Sequence, residues 1–294
     1  MSTARKNEDR AFISWFVFIC FGYQYKAILC GLLGKVIGCE ALCYTVINGV
    51  DTNHWFETIF YAPLLWLALH RVNGIIFINH AADKPRSQRN RLIGEIFAAV
   101  CFYGMGIHVA NLLEIYSREI QGISSGPVYE MIYFFDEVVS HFVQFIPYFL
   151  LLGWYILHDQ PNRRSYLKAA LWIGAGHGIE RTVGIIEGNS WYFALPVVIW
   201  YLACLAIRVR QLRAAGFSHF DFFALYAAGF LITMPTALVA YALVFDGFVQ
   251  PSALGSRQPW LLPFVLGLGG ALTLIIVLVS RAVPSQAVIG AAEK

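Results

Sequence analysis

Charged side chains are scarce in this sequence, because Lys, Arg, Asp and Glu together make up 13% of its 294 residues. Soluble globular proteins carry about twice that fraction, so the composition argues against a soluble domain. The net charge of +3 is small and lies mostly in loops, so we expect no nucleic-acid partner. Hydrophobic residues make up 58% of the chain. Long apolar runs with little charge predict an integral membrane protein with membrane lipid as its surroundings.

The sequence also lacks a Cys-x-x-Cys pair, and its six cysteines lie in or near apolar runs. We interpret them as small buried hydrophobic residues. Internal repeats and low-complexity segments are absent from the sequence as well. We therefore predict one domain over 1–294, with a polar tail at 1–10 and a C-terminal tail at 282–294. No small-x-small pattern, which would mark a signal-peptidase cleavage site, follows the first apolar run. We therefore expect that run to be retained as a membrane anchor.

Continuous apolar runs predict an all-α bundle of about eight membrane spans, since a β-barrel would show short alternating segments. The first run, 11–47, exceeds one span of about 20 residues. It is either an interfacial helix over 11–25 followed by a span at about 27–48, or one long tilted helix. The remaining predicted spans cover about 55–79, 92–115, 128–157, 166–187, 191–208, 220–245 and 259–281.

The loops between these spans alternate in charge. Loops 80–91, 158–168 and 208–219 are rich in Lys and Arg, whereas 114–130 is acidic and 246–258 has one charge of each sign. Cytoplasmic loops carry an excess of Lys and Arg. The pattern predicts a multi-pass protein of the cytoplasmic membrane with both termini in the cytoplasm.

Polar residues interrupt the predicted fourth span at 133–148, which reads YFFDEVVSHFVQFIPY. A carboxylate that faces lipid is costly, so this stretch should turn toward the protein interior or toward water. Asp136 and Ser140 flank one helical face of the stretch. At α-helical spacing that face carries Tyr133, Glu137, His141, Gln144 and Tyr148.

The third and fifth predicted spans place further polar side chains at a similar depth, near the non-cytoplasmic side. Glycines at 174 and 178 lie on either side of His177, and small residues at this spacing let helix backbones approach closely. The side chains that these two spans add are His108, Asn111, Glu114, His177, Glu180 and Arg181.

Neutral imidazoles and carboxylates are the ligands of zinc and of non-haem iron. The sequence therefore predicts a zinc or iron site with three or four ligands, which are His108, His141, His177 and a carboxylate, either Asp136 or Glu137. The catalytic groups expected beside it are Glu137, Asp136, Glu180 and Arg181, one carboxylate acting as base on a metal-bound water. The groups expected to support the ligands from behind are Asn111, Glu114, Ser140 and Gln144.

Arg181 needs a carboxylate partner, because an unpaired arginine inside a membrane span costs at least ~2.5 kcal/mol. Glu180 is adjacent in sequence, but on an α-helix its side chain points about 100° away from that of Arg181 around the helix axis. We therefore expect Asp136 or Glu137, on the preceding span, to pair with Arg181.

The sequence combines several histidines and an acid within a helical bundle. In composition and architecture it resembles the alkaline ceramidase and progestin/adipoQ receptor class of intramembrane zinc hydrolases. That class has a Ser-x-x-x-His pair on one helix and His-x-x-x-His on a late one. Here Ser140 and His141 are adjacent, and no His-x-x-x-His lies in the spans after His177. The roles of that class's residues are therefore not transferred to this chain.

The preferred hypothesis is a metal-dependent membrane hydrolase that acts on a lipid or on another amphiphilic small molecule, with redox chemistry by iron as a variant. A proton-coupled transporter would use the same cluster to bind and release protons. A structural assembly protein would use it to pin helices together. The sequence gives no indication of the oligomeric state.

Overall fold

The computed structural model describes residues 3–28, 46–47, 50–77, 84–159, 166–217 and 220–250. These residues are almost entirely helical, which confirms the all-α prediction for them. The α-helices are α1 (Thr3–Ile28), α2 (Thr52–Phe56), α3 (Ala62–Phe77), α4 (Lys84–Ile107), α5 (Ala110–Ile115), α6 (Pro127–Tyr133), α7 (His141–His158), α8 (Leu167–Glu187), α9 (Ala194–Ala214) and α10 (Phe222–Phe245). The other elements are the π-helical segments π1 (Glu57–Tyr61), π2 (Tyr116–Ile120) and π3 (Phe134–Ser140), a 3₁₀ turn (Trp191–Phe193), and strands β1 (Val46–Ile47) and β2 (Val50–Asp51).

Five stretches of the described residues are helices long and apolar enough to cross a membrane. They are His54–Phe77, Pro85–Ile120, Pro127–His158, Trp191–Ala214 and Phe222–Phe245. These helices support a membrane protein with several spans. Helix α8 has 21 residues but carries two buried charged side chains, Glu180 and Arg181. The predicted span at 259–281 and most of that at 27–48 lie outside the described residues.

Two predicted boundaries differ from the observed ones. The predicted third span, 92–115, is a longer helical stretch that runs from Pro85 to Ile120 and is interrupted by a turn at 108–109. The predicted helix ending at about 48 is wrong at its end, because Val46–Ile47 pairs in antiparallel fashion with Val50–Asp51. Three of these four residues are β-branched, and such side chains favour extended backbone.

The described residues divide into two compact units between Leu152 and Gly153, a point that lies within α7. In the first unit α1 packs on α3, and α3 packs on α4. Helix α1 contributes the fully buried Phe12, Phe16 and Ile19. The hydroxyl of Tyr148 on α7 donates a hydrogen bond of 3.0 Å to the carbonyl oxygen of Ile19. Aromatic packing and this bond therefore fix α1 within the unit.

Gly104 brings α4 into direct contact with the backbone of α7. A Cβ atom at this position would lie 2.5 Å from the amide nitrogen of Gln144 and 2.7 Å from the carbonyl carbon of Val143. Pro147 lacks the N–H that would otherwise bond to the Val143 carbonyl in an α-helix. The close approach is therefore made at a point where α7 already departs from regular hydrogen bonding.

The second unit is built on a similar seam between α8 and α10. A Cβ atom at Gly174 would overlap the carbonyl oxygen of Tyr226, and one at Gly178 would overlap the side chain of Thr233. Thr233 Oγ1 also donates a hydrogen bond of 2.8 Å to the Ala175 carbonyl. The predicted glycine seam is thus confirmed for these two glycines. Further along α8 the Cβ position of Gly184 is open, so the close approach ends before that residue.

Replacing Gly104 with alanine should destabilise the protein by about 1–3 kcal/mol, because the added methyl group forces α4 away from the α7 backbone. Gly106 is the matched control on the same helix, since nothing lies within 4 Å of its Cβ position. Gly106→Ala should be neutral or slightly stabilising, because alanine favours a helix over glycine. Thermal unfolding of the detergent-purified variants measures both effects. Equal stability of the two variants would contradict the close approach.

Candidate functional site

His108 lies at the break between α4 and α5. Its amide still bonds to the Gly104 carbonyl at 3.2 Å, but Val109 N bonds to the Gly106 carbonyl and Asn111 N bonds to the His108 carbonyl, three residues away in each case. Such a tightened turn within a long helix often marks a hinge or a functional position. It places the imidazole and the Asn111 side chain beside the fourth predicted span.

Asp136 lies in π3, where the helix adopts i→i+5 hydrogen bonds. Such segments are rare and occur frequently at functional sites. Its side chain is 1% exposed, and its Oδ1 atom lies 2.7 Å from His108 Nδ1. Asn111 Nδ2 donates a hydrogen bond of 3.1 Å to the other oxygen, Oδ2. The turn in one helix and the π-helical segment in the other therefore bring an imidazole and an amide onto one buried carboxylate.

The π-helical segment changes which residues of 133–148 face inward. Asp136 and Ser140 are buried, whereas Tyr133 is 39% exposed. The predicted inward face, which began at Tyr133 with Asp136 and Ser140 at its flanks, is therefore wrong at its start. The reason is that α-helical spacing does not apply to Phe134–Ser140.

The contact with Asp136 bears on the tautomer of the His108 ring. A carboxylate oxygen 2.7 Å from Nδ1 favours the tautomer with the ring proton on Nδ1, which leaves the lone pair of the neutral ring on Nε2. Ser140 Oγ is also near Nδ1, at 3.4 Å, and it donates to the backbone carbonyl of Asp136. A Ser–His–Asp triad needs serine and aspartate on opposite ring nitrogens. Ser140 therefore positions this group and is not placed as a nucleophile.

His141 supplies a second imidazole that is held in a similar way. Its Nδ1 donates a hydrogen bond of 2.7 Å to the Glu137 carbonyl, and the Glu137 carboxylate Oε2 lies 3.8 Å from the same nitrogen. The rings of His108 and His141 have centroids 5.5 Å apart, and His141 stacks on Phe145. The side chains of the two histidines are 15% and 11% exposed. The site thus combines a buried acid with two largely buried imidazoles.

Glu114 belongs to a neighbouring cluster and contacts neither histidine in the observed hydrogen bonds. It accepts a hydrogen bond of 2.9 Å from Arg118 Nη1 and another from the Tyr129 hydroxyl. Tyr129 also lines a cavity of about 470 Å³ between α5 and α6. Gln144, another predicted supporting residue, is half-buried and meets Gly104 through its backbone.

The remaining predicted site residues lie in the second unit. His177 is fully buried, and its Nδ1 lies 2.6 Å from the hydroxyl of Tyr226 across the glycine seam. Arg181 donates to both carboxylate oxygens of Glu180, with Nη2 2.6 Å from Oε1. The expectation that Glu180 points away from Arg181 is therefore wrong. Both side chains are long enough to fold toward each other across the 100° that separates them on the helix.

A buried ion pair in the second unit was missed in the sequence. Arg208, interpreted above as a loop charge, lies in α9 and donates through Nε to Asp221 Oδ2 at 2.7 Å. Asp221 also accepts a hydrogen bond of 2.9 Å from Ala224 N and so caps α10. An aspartate directly before an apolar run is typical of a helix N-cap, so the sequence contained a signal that Asp221 begins α10.

The function of this site is identified neither by a set of metal-binding side chains nor by a known relative. Within the ranges that the structure describes, no three His, Cys, Asp or Glu side chains form a group that could hold a metal ion. No protein-family model matches the chain, and no curated protein or solved structure matches it either. The function is therefore argued from the geometry of His108, Asp136 and His141.

A double-mutant cycle on His108 and Asp136, both changed to alanine, should show a coupling energy of about 1–3 kcal/mol in unfolding experiments, because the pair is in contact and buried. The matched control is the pair Arg118–Glu119, whose side chains are 48% and 57% exposed. Exposed ion pairs contribute about 0–1 kcal/mol. A coupling no larger than that of the control would contradict the His108–Asp136 contact.

Glu180→Gln should destabilise the protein by about 3–5 kcal/mol, because it leaves the buried Arg181 guanidinium without its carboxylate. Glu137→Gln serves as the comparison, since Glu137 was the partner expected from the sequence and its side chain is 21% exposed. Chemical unfolding of both variants should give the larger loss for Glu180→Gln. The reverse order would support the partner expected from the sequence.

Proposed function

We propose that the protein is an integral membrane hydrolase that cleaves an ester or amide bond in a lipid or other amphiphile, with His108 as the general base. The observation that carries the proposal is the contact of 2.7 Å between His108 Nδ1 and the buried Asp136 carboxylate. A carboxylate in this position orients an imidazole and stabilises the imidazolium that forms when the ring accepts a proton. Asn111 holds the other carboxylate oxygen in place.

In the proposed reaction, water is the nucleophile. His108 Nε2 takes one proton from a water molecule while the water oxygen forms a bond to the acyl carbon of the substrate. The bond from that carbon to the leaving oxygen or nitrogen then breaks, and the leaving group receives a proton. The products are a carboxylic acid and an alcohol or amine, so atoms and charges balance. Ser140 has no part in the bond changes, because its contact is with Nδ1.

His141 is the proposed proton donor to the leaving group. Its Nδ1 is held by the Glu137 carbonyl, so Nε2 is the nitrogen that carries the exchangeable proton of the charged ring. The ring centroids of His108 and His141 are 5.5 Å apart, which suits a base and an acid on one substrate. With one imidazole neutral and the other charged, the rate should have a bell-shaped pH profile.

The amphiphilic nature of the substrate is supported by the cavity between α5 and α6. Its volume of about 470 Å³ is in the range of small-molecule sites, and apolar side chains such as Leu113, Val128 and Ile132 line it. Ile132 precedes Asp136 by about one helical turn, or roughly 6 Å along the axis. The cavity therefore offers an apolar surface for part of an amphiphilic substrate, about one helical turn from the His108 group.

A metal-dependent form of the same hydrolysis is the second candidate. Metal-binding histidines usually donate one ring N–H to a carboxylate or backbone carbonyl, which directs the other nitrogen at the metal. His108 and His141 have these two kinds of support at Nδ1. Zinc or iron held through their Nε2 atoms would lower the pKa of a bound water and supply the nucleophile as hydroxide.

We also propose eight membrane spans, with both termini in the cytoplasm of a cell that carries this protein in its cytoplasmic membrane. The five apolar helices and α8 account for six of the spans. The other two, at about 27–48 and 259–281, lie largely or wholly outside the described residues. The alternating charge of the loops supports the orientation.

The proposal is tested by incubating the purified protein with a membrane lipid extract and measuring released fatty acids, alcohols and amines by mass spectrometry. His108→Ala and Asp136→Asn should each lower product release by about 10²–10⁴-fold, the usual contribution of a positioned general base. His158→Ala, at the end of α7, is the control and should keep wild-type activity. Product release that is equal in all variants, or absent in the wild type, would refute hydrolysis by this group.

Elemental analysis of the same preparations distinguishes metal-dependent from metal-free hydrolysis. Stoichiometric zinc or iron that is lost in His108→Ala and His141→Ala, but retained in His158→Ala, would establish the metal-dependent form. Full activity in protein treated with a chelator, and free of both metals, would establish the metal-free one.

A further inference from the structure

A second cavity in the first unit has a different chemical character. It has a volume of about 380 Å³ and lies between α1, α3 and α4. Its lining includes Trp15 of α1, His70, Arg71 and Gly74 of α3, and Arg91 of α4. None of its lining residues belongs to the His108 group, and none lines the cavity between α5 and α6. The proposed hydrolysis makes no use of it.

The cavity carries a positive charge. Glu95 lies 3.1 Å from His70 Nδ1 and 3.6 Å from Arg91 Nε, so one carboxylate holds both groups at the wall. Arg71 is exposed, and within the described ranges no carboxylate forms an ion pair with it. Among these groups two arginines face one glutamate, which leaves a net charge of at least +1. An anion is therefore the complementary ligand.

The position of the cavity along the helices selects the kind of anion. Arg71 is six residues before the end of α3 at Phe77, and Arg91 is seven residues after the start of α4 at Lys84. At 1.5 Å per residue, each lies about 10 Å from its helix end. The predicted spans end at about 79 and begin at about 92, so Arg91 lies at the predicted membrane boundary and Arg71 about 12 Å inside it. An arginine side chain reaches the headgroup region from either position, and a half-buried tryptophan such as Trp15 is typical of that region.

We propose that this cavity binds the phosphate headgroup of an anionic membrane phospholipid. Arg71 and Arg91 donate to the phosphate oxygens, which the planar guanidinium group suits. Trp15 and the apolar walls accept the glycerol and upper acyl region. Basic pockets between membrane helices are known to bind anionic headgroups. The site belongs on the side of the basic loop 80–91, opposite to the proposed hydrolytic site.

Gly74 provides a way to close the cavity without disturbing the fold. Nothing lies within 4 Å of its Cβ position, so a leucine side chain there would extend into the cavity. Gly184 is the matched control, because it is also a half-buried helical glycine with an open Cβ position. Arg213, an exposed arginine in the last turn of α9, is the control for the loss of a positive charge.

The test uses full-length protein in mild detergent with phosphatidylglycerol or phosphatidylcholine of identical acyl chains, and native mass spectrometry to count bound lipids. The wild type should retain phosphatidylglycerol in preference to phosphatidylcholine. Gly74→Leu should abolish this preference, and Arg71→Gln and Arg91→Gln should each weaken it about fivefold, equivalent to about 1 kcal/mol per arginine. Gly184→Leu and Arg213→Gln should leave it unchanged.

Two results would overturn the proposal. One is an unchanged preference for phosphatidylglycerol in a folded Gly74→Leu variant, with folding checked by its thermal unfolding. The other is displacement of the lipid by an equal concentration of inorganic phosphate, which would assign the site to a soluble anion. Retention of the preference in excess phosphate, together with its loss in Gly74→Leu, would establish the lipid site.

Discussion

Direct contact between helix backbones, made at glycine, is the constraint on which both units depend. In the first unit Gly104 leaves no room for a methyl group between α4 and the backbone at Gln144. In the second unit Gly174 and Gly178 do the same between α8 and α10. Lipid chains give apolar helices little reason to associate, so close van der Waals contact and interhelical hydrogen bonds must hold them together. Each seam meets this requirement, and each has a histidine within a few residues of it.

The close approach makes buried charge tolerable. His108 is four residues after Gly104, so the contact that brings the helices together also brings its imidazole to the Asp136 carboxylate. The second unit solves the same problem within one helix, where Glu180 meets Arg181, and between two helices, where Arg208 meets Asp221. An isolated charge in such surroundings would cost several kcal/mol. Each of these carboxylates has a cationic or imidazole partner in reach.

The sequence was sufficient to predict the coarse fold. Low charge and continuous apolar runs indicated a helical membrane protein, and Gly174 with Gly178 indicated a tight seam beside His177. These predictions rest on composition and on regular helical spacing, both of which are visible in a sequence. The sequence also predicted one larger polar group from the third, fourth and fifth spans, because polar side chains at a similar depth in consecutive spans tend to meet. His108, Asn111, Asp136, Ser140 and His141 lie together, whereas Glu114 belongs to a neighbouring cluster and Glu180 pairs with Arg181.

The errors in the predicted side-chain contacts have two sources, which are the length of the side chains and irregular backbone geometry. Arg181 was assigned a partner on another helix, since helical angles alone ignore how far two long side chains can bend toward each other. The inward face of 133–148 was displaced because Phe134–Ser140 is π-helical. Residue propensities do not distinguish a π-helical segment from an α-helix, and the signal lies in tertiary contacts. Arg208 illustrates a third limit, since a residue at the edge of a basic loop can be a buried structural ion.

The irregular backbone also bears on the choice between a structural and a chemical role for the cluster. A histidine can join two helices from regular helical backbone, as His177 does with Tyr226. At His108 and Asp136 both helices depart from α-helical geometry at the same level, one by a tightened turn and the other by π3. Such departures cost stability and persist where other contacts compensate. Here they bury the acid beside two imidazoles, each of which has a carboxylate or a backbone carbonyl within 3 Å of its Nδ1 atom.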